Sequence, residues 1–362
     1  MSDPNQKIIA EITEEIQARI PDWYGKGVLV SSRSPVLRTS KKSYFLDYHL
    51  RPQAGKPVKL MVKIPRQRNI EMTLPQTISA EDLIQKAKLE YEMLQSVFEK
   101  VAIIEDPHLR AIRVWGYLPR WNAIVMEELQ TKTMLEILAG IRMRLGVSTA
   151  WRSFEETMMR AGKWLRHLHG PPDELAFKPF DYDEMCSYVE MKMGQWKEVP
   201  RLKVKVPAIQ EAFANVLLDV KNERVPVATL HGDFTLTNLI VSSDGSISGI
   251  DLDKMSVGPV YLDLVRLIAD FSLREAVRLG YFFHHEHLCA STSAFLRGYF
   301  ETHSPNWRLL NVYCAKEAIN IISWFEKRIN GTTVIFRIGG GIYFWWMRRY
   351  VHKMLNQYLT PV

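Results

Sequence analysis

The sequence predicts an α+β protein in which most strands come before most helices. Strand-like runs occur between Gly27 and Glu127. From Thr131 onward the apolar residues recur mainly at helical spacing, apart from one hairpin over residues 229–253. Runs of strands followed by runs of helices are typical of α+β proteins. A length of 362 residues indicates roughly two domains or lobes.

The first part of the chain combines a leading helix with several strands. An apolar face at helical spacing predicts a helix over residues 4–20, and Pro21 is expected to end it. That face consists of Ile8, Ile9, Ile12, Ile16 and Ile20. Strands are predicted over residues 27–30, 43–50, 58–64, 111–117 and 122–127.

One charged residue in this part of the chain requires a partner. Lys63 lies inside the apolar strand 58–64, where an ammonium group is costly unless it is paired or bound to an anion. A helix predicted over residues 79–99 carries Glu90 at the edge of its apolar face, whereas Glu92 points about the opposite way. We therefore expect Glu90 to pair with Lys63. A water-facing lysine at a strand edge and an ordinary flanking carboxylate are the alternatives.

The hairpin at residues 229–253 is the most informative stretch of the sequence. His231-Gly232-Asp233 begins a loop, and Asn238 closes it five residues after Asp233. Asp244-Gly245 is a strong signal for a two-residue hairpin turn. The returning strand ends on Asp251. The hairpin is therefore expected to bring Asn238 and Asp251 together, with Asp233 on the loop just before them.

These three side chains suit phosphoryl transfer from a magnesium-bound nucleotide. Carboxylate and amide oxygens bind Mg²⁺ together with phosphate oxygens. A separate carboxylate can accept the proton of a substrate hydroxyl. The alternative is a surface hairpin in which Asp and Asn serve only the turns.

The pattern His-Gly-Asp-x-x-x-x-Asn, followed by Ile-Asp at the end of the hairpin, resembles the aminoglycoside phosphotransferase/choline kinase family. The resemblance extends over the order of elements from about Gly27 to Leu267. It implies a bilobal protein-kinase-like fold with a small antiparallel-sheet N-lobe and a larger, mostly helical C-lobe. The implied domains are an N-terminal helix packing on the first lobe (1–26), the N-lobe (27–129) and the C-lobe (130–362).

The resemblance also implies ATP and Mg²⁺ as cofactors and gives roles to particular residues. Asp233 would be the catalytic base or hydroxyl orienter, and Asn238 and Asp251 would hold Mg²⁺. Lys63 would contact the ATP phosphates, with Glu90 positioning Lys63. The segment at Glu127 and Leu129 resembles the hinge whose backbone binds adenine. Asp263 would brace the catalytic loop from below.

The sequence departs from the wider kinase pattern at the turn expected to cover the phosphates. A glycine-rich loop is absent there. The turn offers hydroxyl side chains instead, namely Ser31, Ser32, Ser34, Thr39 and Ser40. The residues that would cover the phosphates are therefore not identified.

The implied acceptor is a hydroxyl of a small molecule such as a sugar, an amino sugar or an amino alcohol. Asp181, Asp183 and Glu184 could form a cation-binding rim for such a substrate. They could equally be carboxylates that favour a helix N-terminus. Two other functions remain open: a nucleotide-binding pseudokinase that acts as a partner-binding module, and a kinase for a protein or a lipid-linked glycan.

Composition limits the setting in which the protein works. Three scattered cysteines (Cys186, Cys289 and Cys314) and the absence of a signal-peptide leader after Met1 predict a cytoplasmic protein. No apolar run is long enough to span a membrane. The net charge of +7 fits a solvated basic surface, since no nucleic-acid motif accompanies it. The aromatic and basic segment 342–359 is expected to be a core helix, with a membrane-surface helix or a substrate wall as alternatives.

Overall fold

The structure is a computed structural model that describes residues 4–25, 28–30, 35–40, 42–52, 58–67, 70–129, 131–142, 148–198, 206–277 and 280–330. The chain divides into two compact units. Unit 1 comprises Met1–Lys132 and Ile240–Asp253, and unit 2 comprises Thr133–Leu239 and Lys254–Val362. The lobe bounds expected from the sequence, 27–129 and 130–362, stay a prediction.

Unit 1 is built on an antiparallel sheet. Its strands are β1 (Val28–Val30), β2 (Val36–Thr39), β3 (Ser43–Pro52), β4 (Val58–Pro65), β5 (Val114–Leu118) and β6 (Ala123–Glu127). The strand order is β1-β3-β4-β6-β5, and β2 pairs with the other part of β3. The sheet was expected from the sequence, but β2 was not. Its residues are mostly exposed and carry no alternating apolar pattern that would mark a strand.

The helices described in unit 1 are α1 (Pro4–Tyr24), α2 (Leu74–Ser79) and α3 (Glu81–Ala102). Helix α1 buries Ile9, Ile12, Ile16 and Ile20 in one cluster with sheet residues such as Leu46. Full burial of each isoleucine contributes about 1.5–3 kcal/mol, which holds α1 on the sheet. The expected end at Pro21 was wrong. The helix continues to Tyr24, because packing of the apolar face outweighs the loss of one backbone donor.

The central hairpin forms in unit 1 from β10 (Leu239–Ser242) and β11 (Ile247–Gly249). Gly245 has a φ of 79°, as a tight turn of this kind requires. The Asp244 carboxylate accepts hydrogen bonds from the backbone N–H and the hydroxyl of Ser246, at 3.0 and 2.7 Å. The Asp-Gly signal therefore has a direct physical basis in the turn.

Unit 2 is mostly helical. Its helices are α4 (Met134–Arg142), α5 (Ser148–His169), α6 (Tyr182–Lys197), α7 (Val206–Val220), α8 (Tyr261–Val277), α9 (Gly280–Phe300) and α10 (Trp307–Asn330). Helices α5 and α9 cross at glycines. A Cβ atom at Gly162 would overlap the backbone of Phe295, and one at Gly298 would overlap that of Met159. The two backbones therefore touch at this crossing.

A small antiparallel sheet in unit 2 leads into the loop that carries Asp233. It consists of β8 (Ala176–Pro179), β9 (Arg224–Leu230) and β12 (Ser256–Pro259), in the order β12-β9-β8. A short strand, β7 (Thr131–Thr133), lies where the chain passes from unit 1 to unit 2. Gly258 and Pro259 belong to β12, because they pair with Ala228 and Val227 of β9.

The described part of the chain ends at Asn330, the last residue assigned to α10. The triple glycine 339–341 and the aromatic segment 342–359 lie outside the described residues. Among the helices that the structure describes, none combines the length and the apolar character needed to cross a membrane.

Candidate active site

The structure pairs Lys63 with Glu90 inside unit 1. Lys63 stands in the middle of β4, opposite Phe45 of β3 and Ile124 of β6. Its ammonium group donates a hydrogen bond to Oε1 of Glu90, on the buried face of α3. The side chains of Lys63 and Glu90 are only 17% and 4% exposed. The expected pair therefore exists, and the alternative of a water-facing lysine is excluded.

Asp251 lies two residues beyond β11, also in unit 1. It has a φ of 62°, a left-handed conformation that is uncommon for residues other than glycine. Its Oδ2 accepts a hydrogen bond from Lys42 Nζ at 3.0 Å. Asp253 also lies near lysines, 3.7 Å from Lys42 and 3.9 Å from Lys86. Backbone strain of this kind concentrates at functional sites.

The carboxylates of unit 1 offer oxygen atoms suited to a hard cation. Oδ1 of Asp253 is buried and has no hydrogen-bond partner among the described residues. No cluster of three or more His, Cys, Asp or Glu side chains arranged as metal ligands occurs in the described part of the chain. Carboxylate oxygens are donors that Mg²⁺ binds together with phosphate oxygens.

The loop with Asp233 follows β9 in unit 2 and depends on Gly232. Gly232 has a φ of 79°. A Cβ atom at this position would overlap the carbonyl oxygen of Lys254. Only glycine therefore fits where the loop passes the chain that leads into β12.

Asp263, near the start of α8, braces this loop from within unit 2. Its carboxylate accepts the backbone N–H groups of His231 at 2.6 Å and Gly232 at 2.9 Å. The ring of His169, at the end of α5, bonds to Asp263 Oδ2 at 3.1 Å and to the Tyr299 hydroxyl at 2.8 Å. Burial raises the pKa of Tyr299, so its hydroxyl remains protonated. The bracing role expected for Asp263 corresponds to these bonds.

Asp233 is a half-buried carboxylate held by two cations of unit 2. Oδ2 accepts a hydrogen bond from Lys254 Nζ at 2.5 Å, and Oδ1 accepts one from Arg266 Nη2 at 3.2 Å. Burial by itself would raise the pKa of Asp233, but Lys254 and Arg266 outweigh it and lower the pKa below its ordinary value. Asp233 is therefore ionised at neutral pH.

Asn238 ends the loop in a defined orientation. Its side-chain Nδ2 donates to the backbone carbonyl of Asp233 at 2.9 Å, and its backbone N–H donates to Thr235 at 3.0 Å. Another anchor of the loop is Asp270 of α8, which accepts the N–H of Leu236 at 3.0 Å. Because Nδ2 of Asn238 already donates a hydrogen bond, Oδ1 is the side-chain atom that can bind a cation.

The predicted hinge lies at the end of β6. The backbone N–H of Glu127 donates to Arg113 and that of Glu128 donates to Lys59, both at 2.9 Å. Leu129 is the next residue and is half-buried. The side chain of Glu127 faces Arg110 at 3.8 Å. The role of Glu127 and Leu129 in binding adenine stays a prediction.

Asp181 and Glu184 have a structural use. Asp181 is the N-cap of α6, and its side chain accepts the backbone N–H of Glu184 at 2.9 Å. This contact agrees with the alternative in which the carboxylates favour a helix N-terminus. Both residues also line a cavity of about 290 Å³ in unit 2, together with Tyr313 and Lys316.

The residues that sequence reasoning missed are mainly the cations that face the predicted carboxylates. Lys42 and Lys86 lie beside Asp251 and Asp253 in unit 1, while Lys254 and Arg266 hold Asp233 in unit 2. Each is an ordinary surface-type residue in the sequence, and no spacing rule links it to its partner. The electrostatic setting of the site is therefore a product of folding.

With this geometry established, the chain can be compared with known proteins. Residues 147–299 match the family model "APH: Phosphotransferase enzyme family". No curated protein matches the chain by sequence. A solved glucosamine kinase (crystal form B) is 15% identical, with 96% of this chain and 84% of that chain covered and a TM-score of 0.54.

Two further solved structures illustrate the range of similarity. A glucosamine kinase in complex with glucosamine, ADP and inorganic phosphate is 13% identical, with 92% and 83% covered and a TM-score of 0.52. Choline kinase LicA from Streptococcus pneumoniae is 15% identical, with 96% and 99% covered and a TM-score of 0.45, too low to add to the fold assignment.

The chain therefore has the protein-kinase-like fold found in small-molecule kinases, with a small antiparallel-sheet lobe and a larger, mostly helical lobe. Within the larger lobe, residues 147–299 are similar to the phosphotransferase enzyme family (APH). The resemblance, the fold class and the enzyme class predicted from the sequence are confirmed.

Proposed function

We propose that this chain transfers the γ-phosphate of ATP to a hydroxyl group of a small molecule, with Mg²⁺ as the metal. The acceptor class is a sugar, an amino sugar or an amino alcohol. The observation that carries the proposal is Asp233, a partly buried carboxylate that is ionised and fixed on a braced loop. A module that only bound nucleotide would have no use for such a carboxylate.

Asp233 would orient the acceptor hydroxyl and take its proton as the new oxygen–phosphorus bond forms and the bond between the γ-phosphorus and the departing ADP breaks. Ionised carboxylate oxygens together accept about four hydrogen bonds, and Lys254 and Arg266 use one on each oxygen. Acceptor capacity therefore remains for the substrate. Because the two cations lower the basicity of Asp233, orientation is its main contribution, which suits the loose transition state of phosphoryl transfer.

Unit 1 would supply the contacts to the nucleotide. The Lys63 ammonium has three N–H donors, and the recorded bond to Glu90 uses one of them. The remaining donors would bind phosphate oxygens, while Glu90 keeps the lysine in place. The backbone at Glu127 and Leu129 would bind the adenine ring.

The oxygen donors present fit Mg²⁺. Asn238 Oδ1 and the Asp251 carboxylate would hold the ion, and the unpartnered Oδ1 of Asp253 belongs to the same chemical class. When bound, Mg²⁺ would neutralise negative charge on the phosphate oxygens.

The test is turnover of Mg-ATP by the purified protein against a panel of hydroxyl compounds. The panel contains amino sugars, neutral sugars, choline-like amines, homoserine and nucleosides. One acceptor class should stimulate ATP consumption, and Asp233→Asn should lower kcat by about 10²–10⁴-fold. Asp219→Asn, a matched change at an exposed position on α7, should leave kcat unchanged.

Two other outcomes would contradict the proposal. If ATP binds but no compound is turned over by the unaltered protein, the pseudokinase alternative gains. If only a protein or a lipid-linked glycan accepts phosphate, the acceptor class is wrong while the reaction type stands.

A further inference from the structure

A continuous series of polar contacts leads from Asp233 into the helices of unit 2. It passes from Asp233 to Arg266 on α8, then to Glu317 and Asn320 on α10, and ends at Tyr188 on α6. No sequence motif pointed to Arg266, Glu317, Asn320 or Tyr188. These contacts bear on what fixes the orientation of the Asp233 carboxylate.

Arg266 joins two carboxylates through one guanidinium group. Its Nη2 donates to Asp233 Oδ1 at 3.2 Å, and its Nη1 donates to Glu317 Oε1 at 2.6 Å. The guanidinium is planar and rigid, so the positions of its two N–H donors are coupled. The location of Glu317 on α10 therefore restricts where Arg266 can place Asp233.

Glu317 is in turn held from its other oxygen. Asn320 Nδ2 donates to Glu317 Oε2 at 3.2 Å, and the Tyr188 hydroxyl donates to Asn320 Oδ1. Burial raises the pKa of Tyr188, so its hydroxyl stays a donor at neutral pH. With only 12% of the Glu317 side chain exposed, both of its oxygens are committed within the protein. Glu317 is thus a fixed anchor for Arg266.

We propose that Arg266, anchored by Glu317, is a positioning residue that fixes the orientation of the Asp233 carboxylate for phosphoryl transfer. This inference rests on the function proposed above. Lys254 holds Oδ2 and Arg266 holds Oδ1, so together they fix the rotation of the carboxylate plane. Misplacement of a catalytic group by about 1 Å can cost on the order of 10²-fold in rate. A contact that restricts the orientation of Asp233 therefore supports the rate of phosphoryl transfer.

The experiment compares Arg266→Gln, Arg266→Lys and Glu317→Gln in the full-length protein, with the acceptor found above. Arg308→Gln, an exposed change on α10 with the same loss of charge, is the control. Arg266→Gln should lower kcat by about 10- to 100-fold with a change of less than about 3-fold in acceptor KM.

The other variants separate charge from geometry. Arg266→Lys keeps the charge but loses the planar pair of donors, so kcat should fall by only about 3- to 10-fold. Glu317→Gln should lower kcat by a similar factor, because Arg266 loses its anchor. Arg308→Gln should match the unaltered protein in kcat and in acceptor KM.

A second measurement is independent of turnover. The side-chain carboxyl carbon of Asp233 is observed by NMR at neutral pH and identified by its loss in Asp233→Asn. Its chemical shift should change in Arg266→Gln and stay in place in Arg308→Gln. If the chemical shift or kcat in Arg266→Gln matches that of the unaltered protein, the inference is wrong. If the chemical shift changes but no acceptor is found, the proposed function fails and the contact stands.

Discussion

The two predicted acidic sites of the chain are held in different ways. In unit 1, Glu90 is 4% exposed and pairs with Lys63, a residue fixed by the register of the sheet. In unit 2, Asp233 is 17% exposed and is held by Lys254 and Arg266, which come from the chain before β12 and from α8. One site is a single pair between a strand and a helix, and the other is a carboxylate between two cations.

The difference shows that burial decides whether a charge contact acts mainly on the stability of the fold or mainly on the activity of the site. A buried pair such as Lys63–Glu90 contributes strongly to folding only while both partners are present, since either charge alone would be uncompensated. The more solvated contacts of Asp233 contribute little to stability, but they set its orientation and its charge. We therefore expect changes at Glu90 to act mainly on folding and changes around Asp233 mainly on activity.

The largest expected effect is on stability at Glu90. Glu90→Ala leaves the Lys63 ammonium buried without its partner and should lower the free energy of unfolding by about 3 kcal/mol. Glu92→Ala removes the same group from the same helix, where Glu92 and Lys88 are both more than half exposed and 4.0 Å apart. It should cost less than about 0.5 kcal/mol. Urea unfolding measures both, and equal losses would contradict the assigned difference.

The next effect concerns the loop of Asp233. Gly232→Ala forces a Cβ atom against the Lys254 carbonyl and strains a positive φ, so the loop must shift. The expected result is a fall in kcat of about 10²-fold, measured with the acceptor that the unaltered protein uses.

Gly194→Ala is the matched control for that prediction. Gly194 lies in α6 with nothing within 4 Å of the position a Cβ would take. The change should leave kcat unaltered and stabilise the helix by about 0.5–1 kcal/mol. A normal kcat in Gly232→Ala would show that the loop tolerates displacement, and the comparison between the two acidic sites would lose its basis.

The smallest effect is the pH dependence of stability contributed by Asp233. The cations lower its pKa in the folded protein below the value of 3.8 expected when unfolded. The resulting stabilisation is present above the unfolded pKa and is lost as pH falls through the folded pKa. Because these contacts are partly solvated, the contribution should be less than about 1 kcal/mol.

This contribution is measured as the difference in free energy of unfolding between the unaltered protein and Asp233→Asn. The difference should be constant near neutral pH and should change in favour of Asp233→Asn as the solution is made acidic. A difference that grows in favour of the unaltered protein at low pH would reverse the assigned sign.

Local patterns in the sequence were sufficient for several parts of the site. Lys63 inside an apolar strand and Glu90 on an apolar helix face each indicate a charge that needs a partner, so the pair was expected, and the structure excluded the water-facing alternative. The turn at Asp244-Gly245 is likewise predicted by two neighbouring residues. The same reasoning missed β2 and placed the end of α1 at Pro21, since the first is an exposed strand and the second depends on packing over a whole helix face.

By itself, the sequence determined the α+β order of elements, the phosphotransferase motif around Asp233 and Asn238, and the pairing of Lys63 with Glu90. Only the tertiary structure decided which cations face the carboxylates: Lys42 for Asp251, Lys254 and Arg266 for Asp233, and Glu317 behind Arg266. The physical reason is the distance along the chain over which each interaction acts. Turns, helix faces and strand burial depend on neighbours within a few residues, whereas an ion pair between distant segments forms only where packing of the elements brings them together.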